Sequence, residues 1–275
     1  MEYGVFISEN RELPTDLRLV CSAKWQTLLP PAPLRAIYFG SEFCEDLLPD
    51  VASVERFCLR SHRAGVEAVL LTPVVTPKGL SLVERLLRAL AARGHAPAIV
   101  CNDWGVLSLL RRSYPGFSRR AGRLMNRGLR DPRMPEMSGT QETGTRERIG
   151  RMRSMLVRLG VEAVETDSDL DGSYLGEKMD GMQRTLHFPY VFAATGRNCL
   201  VKADGAASPD HCFTKGLGRS CTGLCRGRQH LVQRGDSERS LWRSGNTVFY
   251  EASSELAQAH MARADRIVLY ERPTP

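Results

Sequence analysis

The sequence predicts an α/β fold built from repeated strand–helix units, and three observations carry that prediction. Short β-branched apolar runs alternate with segments whose apolar residues recur at helical spacing. Glycines fall where those helical segments should end. One unit is also echoed: Ala64-Gly-Val-Glu-Ala-Val69 returns as Leu159-Gly-Val-Glu-Ala-Val164, each time after a helical stripe. A closed (β/α) barrel gives such a repeat, and so does an open doubly wound sheet.

Taken in order, residues 36–39 read as a strand. Val54, Phe57 and Cys58 then mark one face of a helix, which Gly65 ends because glycine enters the left-handed turn without a Cβ clash. Residues 66–71 form the next strand. Val83, Leu86, Leu87 and Leu90 form a second helical stripe, ended by Gly94, and residues 98–101 return as a strand. Residues 106–110 are helical. The segment 131–145, rich in Pro, Gly, Ser, Thr and charge, reads as a loop. Ile149, Met152, Met155, Leu156 and Leu159 make another stripe before a strand at Val161. Later strands are expected over 185–192, 247–250 and 267–270. Residues 198–244 show no period, carry much Gly and Arg, and hold half of the cysteines. They read as an insertion within one α/β domain spanning 1–275.

The 275 residues, 42% of them hydrophobic, suffice for one sizeable core. No run of about 18 apolar residues occurs, so no membrane span is expected. The first ten residues lack the basic and then apolar stretches of a secretory signal. A cytoplasmic location is therefore expected, where structural disulfides are rare. The eight cysteines need another explanation. The formal net charge is +7, and only Lys24, Lys78, Lys178, Lys202 and Lys215 are lysines. Such an arginine excess suits a nucleic-acid surface, or it reflects codon usage spread over solvated faces. Arg111, Arg112, Arg119, Arg120, Arg123, Arg127, Arg130 and Arg133 form one basic tract, with Tyr114 and Phe117 between them. That tract is a candidate RNA surface with stacking residues. The alternative is a solvated helix face with two core aromatics.

In either parallel architecture, chemistry gathers where strands end. Glu42 and Cys44 follow the first predicted strand, Asn102 and Asp103 the third. Asp167 and Asp169 follow the Val161 strand, and Cys199 follows the Leu186 strand. Cys44 and Cys199 should therefore meet on one face. Cys221 and Cys225 form a Cys-x3-Cys pair around Gly223, which permits close backbone approach. Thiolates gathered in a reduced compartment usually grip a soft metal, and an iron–sulfur cluster takes four. Arg219, Arg226 and Arg228 stand nearby to offset the charge. Paired Cys-x2-Cys knuckles, the signature of structural zinc, are not seen. Cys212 competes for a ligand position. Cys21, Cys58 and Cys101 read as small core residues. Glu42 and Asp103 are candidate catalytic carboxylates, and the alternative for each is bonding loop amides or capping a helix.

Several stretches resemble the collagenase-like peptidase family, whose members include ubiquinone-biosynthesis proteins and tRNA and rRNA hydroxylation factors. Tyr38-Phe-Gly-Ser-Glu-Phe-Cys44 is similar to a strand ending in Gly-Glu-x-x-Cys that donates a lone upstream cluster ligand in the UbiV-like members. Asn102-Asp-Trp-Gly-Val-Leu107 resembles an Asp-x-Gly-Val segment, and Gly122-Arg-Leu-Met-Asn126 the strand region after it. Ala194-Thr-Gly-Arg-Asn-Cys199 and Cys221-x3-Cys225 resemble the later cysteine-bearing stretches. Phe192 stands where many members have a further cysteine, and the gap from Cys199 to Cys221 is longer than in the UbiV-like pattern.

The resemblance implies a TIM-like (β/α) barrel, complete or partial, with a cysteine-rich cluster-binding insertion. It implies a [4Fe–4S] cluster on Cys44, Cys199, Cys221 and Cys225. The implied activity is oxygen-independent hydroxylation of a small aromatic quinone precursor or a nucleobase. The implied partners are a homologous iron–sulfur protein forming a heterodimer, or RNA. The alternative under the family's name is a peptidase-like protein with a purely structural metal site. No His-Glu-x-x-His or Gly-x-Ser-x-Gly motif supports proteolysis.

Overall fold

The computed structural model describes residues 1–8, 12–125, 141–168, 181–197, 199, 201–203, 221, 223–233 and 240–275, with backbone only over 141–149. Eight parallel strands close a barrel: β1 (Glu2–Phe6), β2 (Leu34–Gly40), β3 (Glu67–Thr72), β4 (Ala98–Cys101), β5 (Arg119–Ala121), β6 (Ala163–Asp167), β7 (Gln183–Phe188) and β12 (Arg266–Leu269). β1 pairs with both β2 and β12, so closure is complete. The expected barrel is thus present, and the open sheet is excluded.

The helices follow from sequence stripes and caps. The short α1 (Ala23–Gln26) lies between β1 and β2. α2 (Val51–Arg63), α3 (Pro77–Ala92) and α4 (Trp104–Ser113) follow β2, β3 and β4. Asp50 caps α2 by accepting from the Ser53 N–H at 2.7 Å, and Thr76 caps α3 ahead of Pro77. Gly65 and Gly94 follow the helix ends at φ +66° and +73°, as their positions predict. The apolar faces of these helices bury Val54, Phe57, Val83, Leu87, Val106 and Leu110 against the outward side of the strands. Phe57 stacks on Phe39 with ring centroids 4.3 Å apart. Burying a side chain of this size contributes about 1.5–3 kcal/mol.

Three stretches differ from expectation. The run 185–192 is two strands: β7 belongs to the barrel, and β8 (Tyr190–Thr195) starts after Pro189 and leaves it. β8 joins β11 (Thr247–Glu251), β10 (Leu241–Ser244) and β9 (His230–Val232) in a separate antiparallel sheet. The predicted strand at 247–250 therefore lies outside the barrel, and the aperiodic stretch 198–244 contains two short strands. Proline fits the junction because it lacks the N–H that would continue the ladder. Finally, α5 (Gln141–Arg158) begins inside the stretch 131–145 read as a loop. The rest of that stretch lies outside the described residues, as do Asp169, Cys212 and Arg219. α6 (Ser254–Met261) then leads into β12.

The barrel interior is divided. Ala36, Tyr38, Val69, Leu71, Ala98 and Val100 line its β2–β4 side. Arg120, Glu165, His187 and Arg266 fill the β5–β7 and β12 side, all buried.

Candidate functional site

At the C-terminal end of the barrel, where strands hand over to loops, a single arginine organises the centre. Arg123 follows β5 and is almost wholly buried. Its Nε donates to both oxygens of Glu42 at 3.0 Å, and its Nη2 donates to Glu42 Oε2 at 2.5 Å. Its Nη1 donates to Asp167 Oδ1 at 2.6 Å and to the Tyr190 carbonyl at 3.3 Å. Burial alone would lower the Arg123 pKa, but Asp167 and Glu42 outweigh it and hold the guanidinium charged. Phe43, Phe192 and Tyr270 lie around its plane at 5.1–5.8 Å.

A second network runs below it. His187 Nδ1 lies 2.8 Å from the Tyr270 hydroxyl, and Nε2 lies 2.7 Å from Glu165 Oε2. Arg120 donates to the other Glu165 oxygen at 2.7 Å, and to Gln183 and Thr185. Burial would raise the Glu165 carboxyl, yet Arg120 and His187 hold it down to about 2. Burial pushes the Tyr270 hydroxyl well up. The networks meet where His187 Nδ1 comes within 4.0 Å of Glu42.

Among the candidate carboxylates, Glu42 sits in this centre, gripped by Arg123. Asp103 does not. It caps α4, accepting from the Gly105 and Val106 N–H groups at 2.7 and 3.3 Å and from Val75 N–H at 3.3 Å. Asn102, beside it, ties three strand ends together. It donates to the Thr72 carbonyl at 3.0 Å and accepts from the Leu124 N–H at 2.9 Å. Gly122 lies against its carboxamide, where a Cβ would collide.

The basic tract is not one surface. Arg120 and Arg123 are interior, while Arg111 and Arg112 are exposed on α4. Arg127, Arg130 and Arg133 lie outside the described residues. Tyr114 and Phe117 form an edge-to-face pair with centroids 6.1 Å apart, and Phe117 is buried. They pack inward instead of presenting stacking faces.

The candidate ligand cysteines come from three separate segments. Cys44 follows β2, and its N–H donates to Ser41 Oγ at 3.2 Å. Cys199 comes after β8, not directly after the Leu186 strand as expected. Cys221 and Cys225 precede β9, and the Gly223 N–H donates to Cys221 Sγ at 3.3 Å. Burial pushes the Cys44 thiol up to about 12, and the charges of Asp46, Cys225 and Cys199 push the same way. Burial, then Cys199 and Cys221, raise Cys225. Lys202, paired with Asp46 at 2.9 Å, is acted on by Cys221 and Cys44. Contacts tie these segments together: Asn246 Nδ2 donates to the Phe43 carbonyl at 2.7 Å, a Cβ on the adjoining Gly245 would lie 3.2 Å from Cys225 Sγ, and the Ala203 N–H donates to the Cys199 carbonyl at 3.0 Å beside Lys202. Arg226 and Arg228 are exposed beside them.

This donor set suits an iron–sulfur cluster: four thiols, one already accepting a backbone N–H, with a lysine at hand. Among the described residues, no three His, Cys, Asp or Glu side chains are arranged to hold a single metal ion. A four-iron cluster is a larger body than one ion and separates its ligand sulfurs further. Cys21 and Cys101 are buried and Cys58 half-buried, apart from this face.

Sequence reasoning missed Glu165, His187 and Tyr270, and it read Arg120 and Arg123 only as part of a basic tract. The signal available was alternation: in β6, Ala163, Glu165 and Asp167 share one strand face, placing two carboxylates inside the barrel.

Fold and site together define a closed parallel (β/α) barrel with an ionic interior and a thiol-rich face at the C-terminal ends of its strands. No family model matches the chain, and no curated protein sequence matches it. It is similar to a solved structure described as that of the U32 peptidase Mk0906. The identity is 14% and the TM-score 0.47, over 100% of this chain and 94% of that one. No helix among the described residues is long and apolar enough to cross a membrane.

Proposed function

We propose that the chain is an iron–sulfur protein in which Cys44, Cys199, Cys221 and Cys225 hold a [4Fe–4S] cluster beside the barrel mouth. What supports this reading is that contacts among three segments distant in sequence bring Cys44, Cys199 and the Cys221–Cys225 loop to one end of the barrel. As bare thiolates they would repel, and burial already pushes two of them up; ligated iron offsets both penalties. Bound there, the cluster would supply one-electron transfer, since four cysteine ligands leave no open iron. The chain's own residues would position it. Ser41 fixes the Cys44 backbone, the Gly223 N–H stabilises the Cys221 sulfur, and Lys202 offsets negative charge.

The activity proposed for this site is oxygen-independent hydroxylation of a small aromatic compound, as the resemblance to the collagenase-like peptidase family implies. The RNA-directed version has less behind it, because Arg120 and Arg123 are buried. Anaerobic purification with iron and sulfide analysis and a visible spectrum tests the cluster. Brown protein with about four iron and four sulfide per chain is expected. Cys44→Ala and Cys221→Ala should abolish the colour, while Cys212→Ala should keep it. Colourless protein with stoichiometric zinc and no sulfide would overturn the proposal.

A further inference from the structure

The residues after β12, Glu271-Arg-Pro-Thr-Pro275, lie across the C-terminal mouth of the barrel. Two prolines without N–H groups cannot extend a ladder, and they hold the backbone stiff. The pairing of β12 with β1 and β7 accordingly ends at Leu269. Beyond it the chain is held by isolated bonds. The Glu271 carbonyl accepts from the Tyr190 hydroxyl at 3.2 Å. The Pro273 carbonyl accepts from Gln229 Nε2 at 3.5 Å. The Pro275 backbone oxygen accepts from the Ser41 hydroxyl at 3.0 Å, and both residues are buried.

These residues touch both halves of the thiol face. Ser41 Oγ also accepts from the Cys44 N–H at 3.2 Å, so one hydroxyl ties Pro275 to the Cys44 turn. On the other side lies the turn between β10 and β11. A Cβ on Gly245 there would sit 3.4 Å from Pro275 Cβ and 3.2 Å from Cys225 Sγ. Pro275 and the Cys225 thiol thus meet across one glycine. The same five residues line a cavity of about 310 Å³, together with Gly40 and Ser244. Cys225 is not in its wall and is only 3% exposed.

We propose that residues 271–275 form a strap, latched by Ser41, that closes the cavity off from Cys225 and opens by local release of its tip. Among the described residues, Ser41 supplies the one hydrogen bond to Pro275. A segment held this way opens at far lower cost than the barrel strands beside it. In the iron–sulfur reading Cys225 is a ligand, and the strap then governs which solutes reach the cluster; that role rests on that reading. The shielding of the bare thiol does not.

Iodoacetamide labelling of the full chain, freed of metal with a chelator and followed cysteine by cysteine by mass spectrometry, tests the strap. Cys101, wholly buried in β4, is the internal control. Ser41→Ala should label Cys225 about fivefold faster, the factor for one lost hydrogen bond. Ending the chain at Arg272 should raise the rate more than about tenfold, since every contact of the tip is then gone. Cys101 should stay unreactive in both. Unchanged Cys225 labelling in Ser41→Ala would overturn the proposal, and so would a truncated chain that labels like wild type. Cys101 speeding up together with Cys225 in Ser41→Ala would also overturn it, because the segment would then belong to the frame of the barrel. If Cys101 reacts only in the truncated chain, that chain has lost its fold and Ser41→Ala decides alone. No iron is needed for the measurement. A wild type that never turns brown, with fast labelling in Ser41→Ala, loses the cluster and keeps the strap. A brown wild type whose Ser41→Ala thiol stays slow loses the strap alone.

Discussion

The ionic interior of the barrel and its thiol-rich face lie within a few residues of each other, Glu42 in one and Cys44 in the other, yet they solve opposite problems. Inside, every strong charge has a partner: Arg123 has Glu42 and Asp167, while Glu165 has Arg120 and His187. The burial cost is met by neighbours from the same chain. On the face, burial raises the Cys44 and Cys225 thiols, and neighbouring cysteines push both the same way. Lys202 and Arg226 are countercharges beside them. A self-satisfied network belongs to the folded barrel itself. Among the described residues, the thiol face has no such pairing built from opposite charges on every side, and its proposed iron is what the cysteine variants test.

The comparison is broken most forcefully at Arg123. Arg123→Met removes one cation and leaves Glu42 and Asp167 buried against each other. Breaking a buried pair in this way costs about 3–5 kcal/mol. Denaturant unfolding should show a loss of that size, partly recovered by adding Asp167→Asn, which removes one orphaned charge. A loss below about 1 kcal/mol would mean that water or rearrangement reaches the centre, and that it is no more self-sufficient than the thiol face.

Acid sharpens the same contrast. Glu165 is held at about 2 in the folded chain, below its ordinary 4.5, so its proton binds more tightly in the unfolded chain. Its stabilisation is complete above about pH 4.5 and is lost as pH falls towards 2. The size is on the order of 3 kcal/mol. Unfolding followed from pH 6 to pH 2 should show wild type losing stability through that window. Glu165→Gln should begin less stable and lose less. Parallel curves for the two proteins would show that Arg120 and His187 do not hold the carboxylate ionised.

Much of this architecture was legible in the sequence, because outward-facing barrel residues and helix stripes obey simple periods. Gly65, Gly94, and the stripe of Val83, Leu86, Leu87 and Leu90 fixed their elements without ambiguity. What was hidden has a common cause. β5 is three residues, Arg-Arg-Ala, and reads as part of a charged tract because a strand lining an ionic interior carries no apolar alternation. Arg120 and Arg123 look like surface residues until the partners that bury them, Glu165 and Asp167, are brought across from β6. The same holds for Phe192. It packs at the mouth against Phe43, with centroids 5.2 Å apart. Long-range pairing decides all three, and local sequence does not record it.

The smallest effect belongs to the carboxylate that stands outside both regions. Asp103 accepts three backbone N–H groups: two from the first turn of α4 on Oδ1, and that of Val75 on Oδ2. Asp103→Ala should lower stability by about 1 kcal/mol, the usual value of a helix cap. Asp103→Asn keeps one acceptor oxygen for the helix but turns an N–H₂ towards the Val75 N–H, so it should recover only part of the loss. Iron content should not change in either variant, since neither touches the cysteine segments. A wild-type > Asn > Ala order in thermal midpoint fits a carboxylate occupied by the backbone at two places. Equal midpoints for all three, with iron lost in the variants, would instead tie Asp103 to the thiol face and remove it from the frame of the barrel.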